Sequence, residues 1–193
     1  GKKLSFIRGI GDLILKSVNA DGTLGIEKTL LEGWNAPSSL AFSPDGAYIA
    51  YSRTNLNFNS EIYIQAVDGK SDPVNVSMHP RGDYDPVWSK DGSKLGFISI
   101  RNNGNYDVWF AWLKKSDWEK TRADWEESDD DGGKKKKGKK GKKVPKVEID
   151  FDGLHERLEQ VTYLPGNEFG VKISPDGETF YFSTNGGSRA GYE

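Results

Sequence analysis

Short apolar runs recur along the chain, each broken by the same kind of turn. Leu40-Ala41-Phe42, Pro86-Val87-Trp88 and Val171-Lys172-Ile173 lead into Ser43-Pro44-Asp45-Gly46, Ser89-Lys90-Asp91-Gly92 and Ser174-Pro175-Asp176-Gly177. Asp-Gly between β-patterned runs signals a hairpin, because glycine takes positive φ without steric cost. Proline at the second turn position presets the φ the turn needs. Beyond each turn stands an apolar pair spaced by two: Ile49 with Tyr51, Leu95 with Phe97, and Phe180 with Phe182. That spacing puts both side chains on one face of a strand. A third strand then opens on an acid, in Glu61-Ile62-Tyr63-Ile64 and Asp107-Val108-Trp109-Phe110. Each acid stands 15 residues beyond its turn glycine.

The ends join the same register. Gly1-Lys2-Lys3-Leu4-Ser5-Phe6 aligns with Gly46-Ala47-Tyr48-Ile49-Ala50-Tyr51, and Asp12-Leu13-Ile14-Leu15 matches the third strand. Glu193, 16 residues beyond Gly177, falls where the next acid is due. The 46-residue step from Gly46 to Gly92 suits a four-stranded blade. The expected architecture is all-β: an incomplete β-propeller of about three four-stranded antiparallel blades, since closure takes four to eight. A small open β-sheet domain is the alternative. The blades are expected at 1-34 (partial), 35-81, 82-165 and 166-193 (partial).

The step from Gly92 to Gly177 is 85 residues, so the third repeat holds an insertion, placed at about 114-146. It passes from an acidic block containing Glu126, Glu127, Asp129, Asp130 and Asp131 to a run, 134–143, in which eight of ten residues are lysine. Such a segment cannot bury enough apolar surface to offset its ordering entropy, and disorder is expected over roughly 126–144. A lysine run can bind nucleic acid or anionic lipid; a solvated loop whose two halves partly cancel is the favoured reading. Trp118 and Trp125 are exceptions to this polar character. They mark where the insertion pins onto the propeller or meets a neighbouring domain. In Val147-Glu148-Ile149-Asp150-Phe151-Asp152-Gly153-Leu154 apolar and acidic residues alternate, which predicts the blade's outer strand.

Composition supports many short strands. Hydrophobic residues are 35% and aromatics 12%, with 23 glycines. A net charge of −2 gives no global field for nucleic acid. No apolar run approaches the ~18 residues of a membrane span. The absence of cysteine excludes disulfides but does not fix the redox compartment. No signal-peptide pattern is visible, and the start at Gly1 suggests that a natural N-terminus, with any targeting segment, lies upstream.

No catalytic, cofactor or metal residue can be assigned. The histidines, His79 and His155, sit in no catalytic motif, and there is no Gly-x-Ser-x-Gly elbow. Ser43, Ser89 and Ser174 share one turn position, and a nucleophile would not need three copies. Asp12, Glu61 and Asp107 repeat likewise, so their expected partners are neighbouring backbone or hydroxyl groups. Asn19-Ala20-Asp21-Gly22-Thr23 resembles the middle of an EF-hand loop, but the last ligand would be Lys28, which cannot hold Ca²⁺. It reads as a hairpin turn. Asp129-Asp130-Asp131 lacks a spaced partner. Asn75-Val76-Ser77 fits a glycosylation sequon that matters only in a eukaryotic secretory setting.

The turns, apolar pairs and third-strand acids together resemble the TolB-like propeller repeats. A narrower set resembles the N-terminal propeller of tricorn-type serine peptidases: the Trp-rich acidic stretch from Trp118, the charged loop, Ile149-Asp150-Phe151-Asp152-Gly153 with Glu156-Arg157, then Leu164-Pro165 and Gly166-Asn167. That resemblance implies a non-catalytic propeller in a larger, exported enzyme, periplasmic or extracellular. Its partners would be peptide or protein, including the parent's own downstream domains. Alternatives are a stand-alone TolB-like interaction module and the propeller of a prolyl-oligopeptidase-type enzyme.

Overall fold

The structure, a computed structural model, describes residues 2–102, 104–121, 124 and 144–186. Of the residues where disorder was expected, roughly 126–144, all but Val144 lie outside it, as do Trp125 and Glu193. The described strands form four antiparallel sheets. The first contains β1 (Lys3–Arg8), β2 (Asp12–Val18) and β3 (Leu24–Leu31) in that order. The second contains β4 (Ser38–Phe42), β5 (Tyr48–Thr54), β6 (Ser60–Ala66) and β7 (Val74–Asn75). The third contains β8 (Asp83–Trp88), β9 (Lys94–Ser99), β10 (Asp107–Trp112) and β11 (Leu158–Gln160). The fourth pairs β12 (Glu168–Ile173) with β13 (Phe180–Thr184). These are blades of a β-propeller. β4 lies against β8 and β8 against β12, so the first strands gather along the axis and the sheets fan out toward β7 and β11.

The apolar pairs after each turn face the preceding blade. Ile49 and Tyr51 bury against Leu13, Leu15 and Leu30 of the first sheet. Leu95 and Phe97 enter a larger core with Ile62, Ile64 and Val76 of the second. Phe180 and Phe182 pack toward Ile98 and Val108 of the third, in a smaller cluster with three buried hydrophobic members among the described residues.

The repeated turn is built by its serine. Ser43 Oγ accepts the amide of Tyr48 at 2.9 Å and donates to Asp45 at 2.7 Å. Ser174 does the same with Thr179 and Asp176. Ser89, followed by Lys90 rather than proline, accepts from Lys94 N at 2.9 Å and donates to Lys94 O at 3.1 Å. The turns also join blades. Lys94, buried and over the Trp112 ring at 4.1 Å, donates from Nζ to Gly177 O at 2.9 Å. Lys3, at the equivalent place two residues past the turn glycine, donates to Gly46 O. Gly177 has φ 79°, and a Cβ there would stand 2.6 Å from Asp91 Oδ2. Gly177→Ala should therefore cost about 1–3 kcal/mol in thermal unfolding, from strain and the displaced carboxylate together.

One element differs from expectation. The segment from Val147 to Leu154 is not the outer strand; Leu158–Gln160 is, paired with Trp109, Phe110 and Ala111. The alternation seen in sequence reports burial alone. Val147 is buried, and Ile149 and Phe151 pack on the core between the second and third blades. The backbone carbonyls of this segment are captured elsewhere. Arg157 Nη1 donates to Asp152 O at 2.8 Å and Nη2 to Asp150 O. Val147 N is taken by Asp45 Oδ2 at 2.8 Å, and a 3-10 turn follows at Leu154–Glu156.

Candidate functional site

Strand direction sorts the loops onto two ends of the propeller. The serine-containing turns, the hairpin at 19–23 and the insertion share one end. The other end holds the connections between second and third strands and those from one blade to the next. At this connector end stand Ile10, Trp34, Leu56, Phe58, Met78, Tyr163 and Leu164, every one exposed, with Leu56 at 83% and Phe58 at 84%. Apolar tips gathered on one face mark contact surfaces more often than scattered ones do. Phe58 and Met78 also hold positive φ, 62° and 42°, conformations that side chains seldom adopt without compensation.

Just inside this mouth, each inner strand carries the same bulge. The register slips between Ser38 and Ala41, between Tyr84 and Val87, and between Phe169 and Lys172. Ser39, Asp85 and Gly170 occupy the equivalent left-handed position, with φ 53°, 53° and 63°. Glycine fits there freely; Ser39 and Asp85 do not. Both are exposed, and Ser39 Oγ donates to Asp85 Oδ1 across the blade boundary at 2.5 Å. Beside them Tyr106 stacks obliquely between Tyr84 and Phe169, with ring centres 6.0 and 6.2 Å apart. The bulge was not read from the sequence. Its signal is the shared place of Ser39, Asp85 and Gly170, seven residues before each turn glycine.

The sequence candidates divide between the two ends and do not converge. Asp12 Oδ1 accepts Gly33 N at 3.2 Å. Glu61 accepts Ser77 Oγ at 2.8 Å, His79 N at 3.2 Å and Asn55 Nδ2 at 3.3 Å. Asp107 instead meets another carboxyl, Glu168, and burial together with that neighbour raises it to about 6. His79 is held below the usual imidazole range by burial and by the Arg101 guanidinium; its Nδ1 accepts Arg81 N at 3.2 Å. His155 lies at the opposite end, in the 3-10 turn. The three turn serines are also at that opposite end. Asn19 to Thr23 is a hairpin turn, with Asn19 N on Thr23 O and Gly22 N on Asn19 O. Trp118 is 40% exposed at the end of the short helix α1 (Lys115–Trp118). No group of three or more metal-ligating acids or histidines stands together among the described residues, and no described helix is long and apolar enough to cross a membrane.

No family model and no curated protein matches this chain. Solved structures do. The crystal structure of the tricorn protease superposes with a TM-score of 0.54 at 13% identity, covering 86% of this chain and 18% of that one. A putative TolB from Agrobacterium tumefaciens is 24% identical over 60% of this chain and 42% of its own, with a TM-score of 0.46. The chain thus spans well under half of either protein. The likeness to the tricorn protease is one of fold: a segment of β-propeller.

Proposed function

We propose that this chain is a non-catalytic propeller segment of a larger tricorn-like serine peptidase, and that its connector end receives or guides peptide. The observation that carries this reading is the gathering of exposed apolar tips around one mouth. The strained Ser39–Asp85 pair just within it adds a polar contact point. An extended peptide would lay apolar side chains on the rim and its amide or cationic groups against Ser39 and Asp85. In this reading the blades run 1-34 (partial), 35-81, 82-165 with the insertion at about 114-146, and 166-193 (partial), and the parent's catalytic domain is the natural second partner.

Binding of the chain to a panel of unstructured peptides tests this directly. Leu56 and Phe58 are solvent-exposed, so Leu56→Asp with Phe58→Asp should leave the melting temperature within a few degrees. Affinity should fall at least about tenfold, as for central apolar anchors. Peptide affinity untouched by both changes overturns the reading. Peptide hydrolysis by this chain, lost on replacing Ser43, Ser89 or Ser174, would overturn its non-catalytic half.

A further inference from the structure

Asp107, which opens β10, and Glu168, which opens β12, meet at the junction of the third and fourth blades, where Glu168 N donates to Tyr106 O at 2.7 Å. They are 4% and 0% exposed. The hydrogen bonds around them aim two hydroxyl donors at Glu168. Thr162 Oγ1 accepts Val108 N at 2.9 Å, so its single proton goes to Glu168 Oε2, also at 2.9 Å. Thr184 Oγ1 accepts Gly186 N at 3.0 Å and gives its proton to Glu168 Oε1 at 3.2 Å. Both Glu168 oxygens thus already accept a hydroxyl proton. A hydrogen bond between Glu168 and Asp107 requires one proton on the pair, and Asp107, raised by burial and by Glu168, is the group placed to carry it.

We propose that Asp107 and Glu168 form a proton-dependent latch, which seats the fourth sheet on the third in acid and loosens it as the pH approaches neutrality. Arg101, the cation of the β9–β10 connection, does not neutralise the pair. Its Nη2 lies 3.1 Å from Asp83 and its Nε 2.8 Å from Ser99 Oγ. The other elements at the pair supply neutral groups: Thr162 beyond β11, Asn167 before β12 through Tyr106 N, and Thr184 of β13. Tyr106 itself is turned to Tyr84 and Phe169. The second blade has no such device, because the equivalent hydroxyl, Ser77, donates to Glu61 of its own blade. Among the described residues the apolar core at the latched junction is the smallest of the three, so the carboxyl pair weighs more there.

The sign follows from Asp107. Its folded value, about 6, lies above the ordinary 3.8. The seated state binds the extra proton, so the stabilisation is complete below about 4 and is lost as pH rises through about 6. Hydrogen exchange of the whole chain, corrected for intrinsic rates, reads the opening of β12 and β13. From pH 5 to pH 7.5 that opening should increase roughly tenfold, with the β5–β6 amides as an unchanging reference. Asp107→Asn, isosteric and neutral, should hold β12 and β13 at the acid level throughout, and Glu168→Gln should flatten the profile as well. A pH-independent opening in the unsubstituted chain overturns the latch. So does a rise that survives Asp107→Asn, or one shared equally by β5 and β6.

Discussion

Arg157→Met should destabilise the chain by about 3–5 kcal/mol in denaturant or thermal unfolding. Arg157 is 2% exposed. Its guanidinium is satisfied by backbone carbonyls: Nε to Trp112 O at 3.2 Å, Nη1 to Asp152 O at 2.8 Å, and Nη2 to Leu113 O and Asp150 O. These acceptors come from two stretches, the end of β10 and the return from the insertion. One side chain therefore closes the base of the long loop and sets the 3-10 turn that aims β11 at β10. Methionine fills much of the volume but takes the Arg157 donor from the Asp150 and Asp152 carbonyls, while Leu113 O keeps the Asp150 amide; an acceptor left without its donor is the costly half of losing a buried hydrogen bond. Arg157→Lys keeps the charge but lacks the planar fork, so it should recover less than half of the loss. A melting temperature within a degree or two of the unsubstituted chain would show that the loop base is held by something else.

The blade count, the turns and the faces of the apolar pairs were legible because each repeats. A position seen in several copies carries its own control, as the three serines show by making much the same turn. What repeats in sequence need not repeat in partners, however. The alternation at Ile149 and Phe151 is real, but it reports contact with a core rather than a ladder. Only the carbonyl count around Arg157 tells the two apart. The outer strand was missed because Leu158–Gln160 is three residues long and has no room for a pattern. The mouth was missed for a different reason. Exposed apolar tips in loops have no periodicity, and their common end becomes visible only when the strand directions are known.

The repeated acids give the sharpest contrast. Glu61→Ala should cost about 2–4 kcal/mol, since three donors lose their acceptor and unsatisfied buried groups cost about 1–3 kcal/mol each. Glu61 is 4% exposed. It receives a hydroxyl, an amide N–H and a side-chain amide, with no second carboxylate among these contacts. Losing it also frees Ser77 Oγ, which orders the start of β6 through Ile62 N at 3.0 Å. At the equivalent place in the next blade, Asp107 faces Glu168, and removing its charge should stabilise the fold at neutral pH. Two acids in the same register are thus expected to respond with opposite signs. The difference comes from the blade-to-blade connections. After the second blade, Ser77 turns back to its own acid; after the third, Thr162 reaches forward to Glu168. Thermal unfolding at pH 7.5 of Glu61→Ala beside Asp107→Asn measures both. A loss of stability in both would mean that the third-strand acid plays one uniform role and that the pairing with Glu168 has no energetic weight.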